Sequence, residues 1–285
     1  MGKRLLSEKQ RLILSSRGKW RIISTLFKPD CAPIKNNAHA EWLAGHTDSH
    51  TTREILAVLE GKSLNSLNEE TYSAIPGTIF LFDSYEKHDR LYSPETKDSI
   101  HLWIFFLKSH TIARIHHIRN GSIRNTEKVE MTFEEDIHRN FFCTGWDNVK
   151  KSCLPPELKK KKILAMLELL FLEMIEQDIS GKAAEPNDEN HQIKVIRAIH
   201  QHISNSSGKA MTVEGLARIA GYSKFHFFRL FKKYTGQNVH DCINKHRLKK
   251  VAEMLKAGFL QKQIASELGF SCPSAFSNWY SRYKK

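Results

Sequence analysis

The 285-residue sequence lacks paired cysteines and long apolar runs. Its five cysteines are an odd number with no CxxC spacing, which argues against a disulfide framework. No segment is long and apolar enough to predict a membrane span, and the N-terminus has no signal-peptide pattern. We therefore expect a cytoplasmic protein that has no membrane partner.

Acidic residues are scarce in the last third of the chain. From His191 onward there are 17 Lys and Arg against 4 Asp and Glu, a balance of +13, which equals the net charge of the whole chain. The first 190 residues are therefore neutral overall. A positive charge concentrated in one segment favours binding to nucleic-acid phosphates. A basic surface that only aids solubility is the alternative, but it does not explain the segregation.

The segment from Thr212 to Tyr234 predicts two short helices joined by a turn that contains Gly221. Thr212 and Ser223 are suitable N-caps for the two helices. The second helix has an apolar face and a different face with exposed rings and cations. Its apolar face is Phe227, Leu230, Phe231 and Tyr234, and the other face is Phe225, Phe228, Arg229 and Lys232. This is the pattern of a helix-turn-helix motif, with an ordinary helical hairpin as the alternative.

The motif occurs a second time. Leu216-Ala217 returns as Ile264-Ala265, and Gly221-Tyr222-Ser223 returns as Gly269-Phe270-Ser271, in each case 48 residues later. Between the copies, residues 239–255 show one continuous helical pattern that would hold the two units apart.

The doubled motif, with Arg247-Leu248 in the connecting helix and Ile264-Ala265-Ser-Glu-Leu-Gly-Phe270 in the second unit, resembles the DNA-binding domain of AraC/XylS-type transcription regulators. The resemblance covers about a third of the chain and implies two recognition helices in successive major-groove segments. On the resemblance, the base-reading positions are Phe225, Phe228 and Arg229, and lie near Ser274 and Asn278. The full predicted DNA-binding set is Lys224, Phe225, Phe228, Arg229, Lys232, Lys233, Ser274, Ser277, Asn278 and Arg282.

The N-terminal part has the sequence pattern of a β domain. Four apolar runs separated by Gly, Pro and acidic clusters predict a small barrel or sandwich: residues 21–27, 54–59, 78–82 and 99–106. A long helix is predicted over Pro156–Gln177, and it is apolar on more than one face. The apolar surface beyond one face favours homodimerisation through this helix. The alternative is that the whole helix is buried inside its own domain. The polar segment 178–190 is predicted to be a linker between domains 1–177 and 191–285.

One constellation in the β region resembles the conserved stretches of cupin barrels. It comprises Asp48-Ser49-His50, Glu54 and Gly61, followed by Pro76-Gly77 and His88. The resemblance implies that these side chains converge inside a barrel, where they would bind a small polar effector. Trp42 and Trp103 would stack on the effector. The predicted ligand-binding set is Trp42, Asp48, His50, Glu54, His88 and Trp103. A divalent metal and purely structural roles are the alternatives for these residues; we predict no metal and no cofactor.

Together these features predict an α+β protein of two domains. The first is a cupin-like barrel with flanking helices, and the second is all-α, with two helix-turn-helix units joined by a long helix. We expect a non-enzymatic transcription regulator that binds double-stranded DNA, with RNA polymerase as a further candidate partner. The alternatives are a metal-dependent cupin enzyme with a helical appendage and a constitutive regulator without an effector.

Overall fold

The computed structural model describes residues 6–107, 111–125, 130–133, 136–180, 189–209 and 211–284. The chain divides into two compact units, Met1–His191 and Gln192–Lys285. Within the described ranges, no helix combines the length and the hydropathy that crossing a membrane requires.

The strands of the first unit form two sheets. They are β1 (Arg21–Ile23), β2 (Thr47–Asp48), β3 (Arg53–Glu60), β4 (Ser63–Leu67), β5 (Glu70–Ala74), β6 (Thr78–Phe82), β7 (His88–Asp89), β8 (Ser99–Phe106), β9 (Thr111–Arg119), β10 (Ser122–Asn125) and β11 (Glu130–Phe133). Among the described residues, the larger sheet has the order β1-β6-β3-β8-β9-β10, with β11 also paired to β9. The smaller sheet has the order β2-β7-β4-β5. β1 runs parallel to β6, and the pairs β3–β6, β3–β8 and β8–β9 are antiparallel.

The two sheets do not close into one barrel, because no described ladder joins a strand of one to a strand of the other. Side chains bridge them instead. The ring of Tyr72 on β5 lies 6.0 Å from that of Phe80 on β6, and His88 on β7 stacks on Phe82 at 4.6 Å. The predicted mixture of α and β structure is confirmed, but a continuous barrel is not observed. β2 and β7 have two residues each and so offer few ladder hydrogen bonds.

Helices cover the opposite face of the larger sheet. They are α1 (Glu8–Ser15), a 3-10 turn (Arg17–Lys19), α3 (Asp136–Lys151) and α4 (Pro156–Ile179), while α2 (Asn37–Ala44) follows β1. Because side chains alternate along a strand, Ile55, Ala57 and Leu59 of β3 share one hydrophobic core with Trp146 of α3 and Phe171 of α4. Their neighbours on β3, including Glu54, face the other way. This alternation gives the larger sheet an apolar outer face and a partly polar inner face.

Helix α4 has two apolar faces with different environments. The residues buried in the core are Ile163, Met166, Leu167, Leu170, Phe171 and Met174. Leu158, Leu169, Leu172 and Ile179 are exposed. The helix continues two residues beyond the predicted end at Gln177, because buried Asp178 pairs with Arg11 at 3.2 Å and so belongs to the folded unit. Of the predicted linker, residues 181–188 lie outside the described residues.

The regular secondary structure described for the second unit is all helical, and its first helix begins three residues before the boundary at Gln192. Its helices are α5 (Glu189–Asn205), α6 (Val213–Ala220), α7 (Lys224–Thr235), α8 (Val239–Lys256), α9 (Gln261–Glu267) and α10 (Pro273–Tyr283). The predicted continuous helix between the two motifs is confirmed as α8. Asn244 of α8 accepts a hydrogen bond from the Trp279 indole of α10 at 2.9 Å. Arg247 donates to the Gly208 carbonyl at 2.9 Å and lies over the Phe270 ring. On the side of the first motif, the His240 ring of α8 lies 5.7 Å from the Phe228 ring of α7, so one helix contacts both motifs.

Candidate functional site

Three capping residues define both ends of α6 and the start of α7. The Thr212 hydroxyl accepts a hydrogen bond from the Gly215 amide at 3.0 Å, which caps α6. Gly221 ends α6 in the left-handed region, with φ at +67°, where a residue with a Cβ would be strained. The Ser223 hydroxyl then accepts from the His226 amide at 3.3 Å and starts α7. The caps predicted from the sequence are confirmed.

Helix α7 has a buried face and an exposed face. Phe227, Leu230 and Phe231 are buried. Phe225 is 79% exposed, and the exposed cations of this helix are Lys224, Arg229, Lys232 and Lys233. Phe228 differs from the prediction of an outward side chain, since it is half-buried with its ring 5.7 Å from that of His240. Lys224 forms an ion pair with Glu214 of α6, which lowers the pKa of that carboxyl.

The second motif repeats this division. Phe276 of α10 is buried in a small core with residues of α8 and α9: Val251, Met254, Ile264, Ala265 and Leu268. The Cys272 sulfur accepts a hydrogen bond from the Ala275 amide at 3.4 Å and caps α10. The predicted DNA-binding side chains of this helix, Ser274, Ser277, Asn278 and Arg282, are all exposed. Each motif thus presents hydrogen-bonding or cationic side chains on a helix that is anchored from behind, as contacts with base edges and phosphates require.

Residues 216–285 match the sequence model of a family described as a helix-turn-helix domain. This match begins within α6 and covers the rest of the first motif, the connecting helix α8 and the second motif. The second unit contains an AraC-type helix-turn-helix domain. In this AraC-type domain, α7 and α10 are the second helices of the two motifs.

Similar proteins include several with regulatory names. The chain is 31% identical over 103 residues to the HTH-type transcriptional regulator GlxA of Rhizobium meliloti, which covers 36% of this chain and 31% of that protein. It is 24% identical over 239 residues to the Msm operon regulatory protein of Streptococcus mutans, covering 79% and 78% of the two chains. The chain therefore spans about a third of GlxA but most of the Msm protein.

A solved structure with a partial likeness is ToxT from Vibrio cholerae O395. It is 12% identical, and the match covers 83% of this chain and 90% of that chain with a TM-score of 0.23. A TM-score of this size does not establish a shared overall fold.

In the first unit, three predicted pocket residues meet between the two sheets. His50 Nε2 lies 3.0 Å from Glu54 Oε1, and His88 Nε2 lies 3.5 Å from Glu54 Oε2. The two imidazole centroids are 4.9 Å apart. Glu54 is fully buried, His88 nearly so, and His50 mostly buried. The side chains are 38 positions apart at most in sequence, and the pairings of β3 with β6 and of β2 with β7 bring them together.

The backbone fixes the orientation of both imidazoles. His50 Nδ1 lies 3.1 Å from the Thr52 carbonyl, and His88 Nδ1 lies 3.0 Å from the Glu86 carbonyl. Since a carbonyl only accepts, each Nδ1 must carry a proton and donate it. Each Nε2 then faces the Glu54 carboxylate, either as a second N–H or as a lone pair. The arrangement therefore suits a bound proton, a hydrogen-bonding ligand or a cation between these groups.

The other predicted pocket residues are placed differently. Trp103 is buried on the same inner face and stacks on Phe82, which in turn stacks on His88. Trp42 lies on α2 with its ring stacked on His46 at 4.6 Å, and no described contact joins it to Glu54. Asp48 pairs with His88 through the backbone of β2 and β7, but its carboxylate is not part of the Glu54 cluster.

A second buried polar group on this face was missed by the sequence reasoning. The Tyr92 hydroxyl accepts a hydrogen bond from the Trp103 indole at 2.6 Å and bonds His116 Nδ1 at 2.9 Å. His101 is completely buried beside Tyr92, and its ring nitrogens have no hydrogen-bond partner among the described residues. Burial lowers the pKa of His101 to about 3. The available signal was the alternation in β8, where His101, Trp103 and Phe105 share one face.

Proposed function

We propose that this protein is a transcription regulator that binds duplex DNA through α7 and α10. The observation that carries the proposal is the AraC-type domain, in which both helices expose polar side chains while α8 contacts both motifs. The balance of +13 from His191 onward supports it, because phosphate neutralisation needs this excess on the same segment. The regulatory names of the similar proteins agree with a non-enzymatic function.

The test is selection of binding sequences from a random duplex pool by the full chain. A DNA-binding regulator should enrich one motif and bind it at least about a thousandfold more tightly than random DNA, as is typical of specific sites. A variant in which the exposed cations of α7 and α10 are replaced by glutamine should enrich no sequence motif. Equal binding of the wild type to every sequence would contradict a sequence-specific regulator.

We propose further that the first unit binds a small polar effector between its sheets. His50, Glu54 and His88 would hydrogen-bond it, and the buried Trp103 would line the site. Support comes from the convergence of these groups in an environment shielded from water, where hydrogen bonds to a polar ligand offset the cost of burying polar atoms. His101 and Tyr92 extend the polar lining along the same face.

Calorimetric unfolding of the full chain with a panel of monosaccharides and polyols tests the effector. A ligand at a hundredfold excess over its Kd should stabilise the wild type by about 2.7 kcal/mol. Glu54→Gln and His88→Ala should abolish this shift. The exposed His117→Ala on β9 is the matched control and should retain it. A constitutive regulator would show no ligand-dependent shift in any variant.

The donor set of the pocket also favours a second candidate, a divalent metal ion. Two imidazole nitrogens and a carboxylate, with each Nδ1 held by a carbonyl, are a familiar metal-binding arrangement. Metal analysis of the purified full chain distinguishes the candidates: bound metal that disappears in His88→Ala but remains in His117→Ala supports the ion. Turnover by that metal form would favour the enzyme alternative.

A further inference from the structure

A second cluster of metal-ligating side chains lies in the helical unit, away from the exposed faces of α7 and α10. It consists of His200 on α5 and Cys242 and His246 on α8. Each residue offers one donor atom, and the three donor atoms all lie within 4.8 Å of one another. A tetrahedral ion with bonds of about 2.0–2.3 Å holds its donor atoms about 3.3–3.8 Å apart, so three donors this close need only small side-chain rotations to bind one ion.

Helix geometry brings the three side chains together. Cys242 and His246 are four residues apart and therefore lie on the same face of α8. His200 approaches them from α5, with its ring centroid 6.5 Å from that of His246 and 6.0 Å from that of Phe231 on α7. Cys242 is completely buried, while both histidines are half-buried. The cluster is thus closed on the core side and accessible from the histidine side.

The protonation of these groups is compatible with binding. Burial and nearby cations lower the pKa of His246, so the ring is neutral at neutral pH, as metal ligation requires. Burial raises the pKa of Cys242 to about 11, so the free thiol keeps its proton. An incoming ion would displace that proton to solvent and form a metal–thiolate bond.

We propose that His200, Cys242 and His246 bind a divalent ion of the zinc class. The thiolate and imidazole donors select such an ion over magnesium or calcium, which prefer oxygen ligands. Water or the amide of Gln237, whose Nε2 lies 3.2 Å from His200 Nε2, would occupy the fourth position. The ion would fasten α5 to α8 behind α7, and it is independent of any ligand in the first unit.

The experiment is a titration of the reduced full chain with Co²⁺, which reports tetrahedral thiolate ligation by a cobalt–sulfur charge-transfer band in the near ultraviolet. The wild type should develop the band at one equivalent. Cys242→Ser should abolish it, and His246→Gln should weaken the affinity at least tenfold. Cys272→Ser removes an exposed thiol at the start of α10 and is the matched control that should keep the band.

Other results would overturn the proposal. One is the absence of the cobalt–sulfur band in the wild type. The other is a band of the same strength in Cys242→Ser, which would show that another cysteine binds the Co²⁺. The His50–Glu54–His88 group contains no thiol and cannot produce the band. If circular dichroism shows that Cys242→Ser does not fold, the Co²⁺ affinities of His200→Gln and His246→Gln test the site instead. Unchanged Co²⁺ affinity in both would refute the site, and weakened affinity would support it.

Discussion

Arg229 is the exposed side chain of α7 whose chemistry best suits base recognition. A guanidinium donates two parallel hydrogen bonds to the major-groove edge of guanine, whereas a lysine interacts mainly as a point charge. Arg229→Ala should cost about 1–3 kcal/mol on the selected DNA site and relax the sequence preference. Fluorescence anisotropy with selected and scrambled duplexes measures both effects.

Lys233→Ala is the comparison for that prediction, since Lys233 is also exposed on α7. As a phosphate contact, it should weaken binding to the selected and scrambled duplexes by about the same factor. If both variants lose affinity equally on the two duplexes, Arg229 does not read bases.

His101 should make folding stability sensitive to acid. Its pKa is about 3 in the folded chain and near 6.5 when unfolded, so between these values only the unfolded state binds the proton. Stability must then fall as the pH drops below 6.5, by up to about 1.4 kcal/mol per pH unit. His101→Phe should remove this contribution while filling the same space.

Urea unfolding at pH 7 and pH 5 checks the histidine prediction. The decrease in stability between the two pH values should be larger in the wild type than in His101→Phe. His117→Phe, at an exposed position of β9, should resemble the wild type. The prediction fails if His101→Phe and the wild type lose the same free energy.

Among the elements, α4 offers a surface for a second copy of the chain. The sequence could not separate its two apolar faces, but the structure does: Leu170 and Met174 are in the core, whereas Leu169 and Leu172 are about half exposed, at 50% and 48%. Burying a fully exposed leucine is worth about 1.5–3 kcal/mol, so covering each of these half-exposed leucines in a paired helix would contribute about half of that. Dimerisation through Pro156–Gln177 stays a prediction.

Leu169→Glu combined with Leu172→Glu should convert a dimer into a folded monomer, because the added charges lie outside the core. Sedimentation velocity at micromolar concentration gives the mass. Leu12→Glu on α1 is a control at a similarly exposed position, 55%, and should leave the association unchanged. A monomeric wild type under these conditions would disprove the α4 interface.

The elements also show where sequence reasoning succeeds. The caps Thr212, Gly221 and Ser223 act within their own turn, so local residue types were enough to predict α6 and α7. The pairing of β1 with β6 joins residues more than fifty positions apart, and no local signal specifies it. For the same reason His50, Glu54 and His88 were found by resemblance, whereas Tyr92 and His116 became visible only when β8 and β9 were paired.

At the scale of the whole molecule, the separation of charge predicts strong salt dependence of DNA binding. Removing one cation that neutralises a phosphate should reduce the slope of log affinity against log salt by about 1. Lys232→Gln combined with Lys233→Gln should therefore reduce the slope by about 2 if both side chains bind phosphates. Lys161→Gln, exposed on α4 in the neutral first unit, should leave it unchanged. A slope near zero in the wild type would exclude phosphate-driven binding.

Helix α8 contacts both motifs and is uninterrupted over Val239–Lys256. An α-helix turns by about 100° and advances about 1.5 Å with each residue. Deleting one residue near Lys249 would therefore rotate α9 and α10 about the helix axis without altering any side chain that is proposed to contact DNA. The two recognition helices would then point toward different sides of the duplex. The number of residues in this connecting helix would therefore set the angle, around the DNA axis, between the two halves of the DNA site.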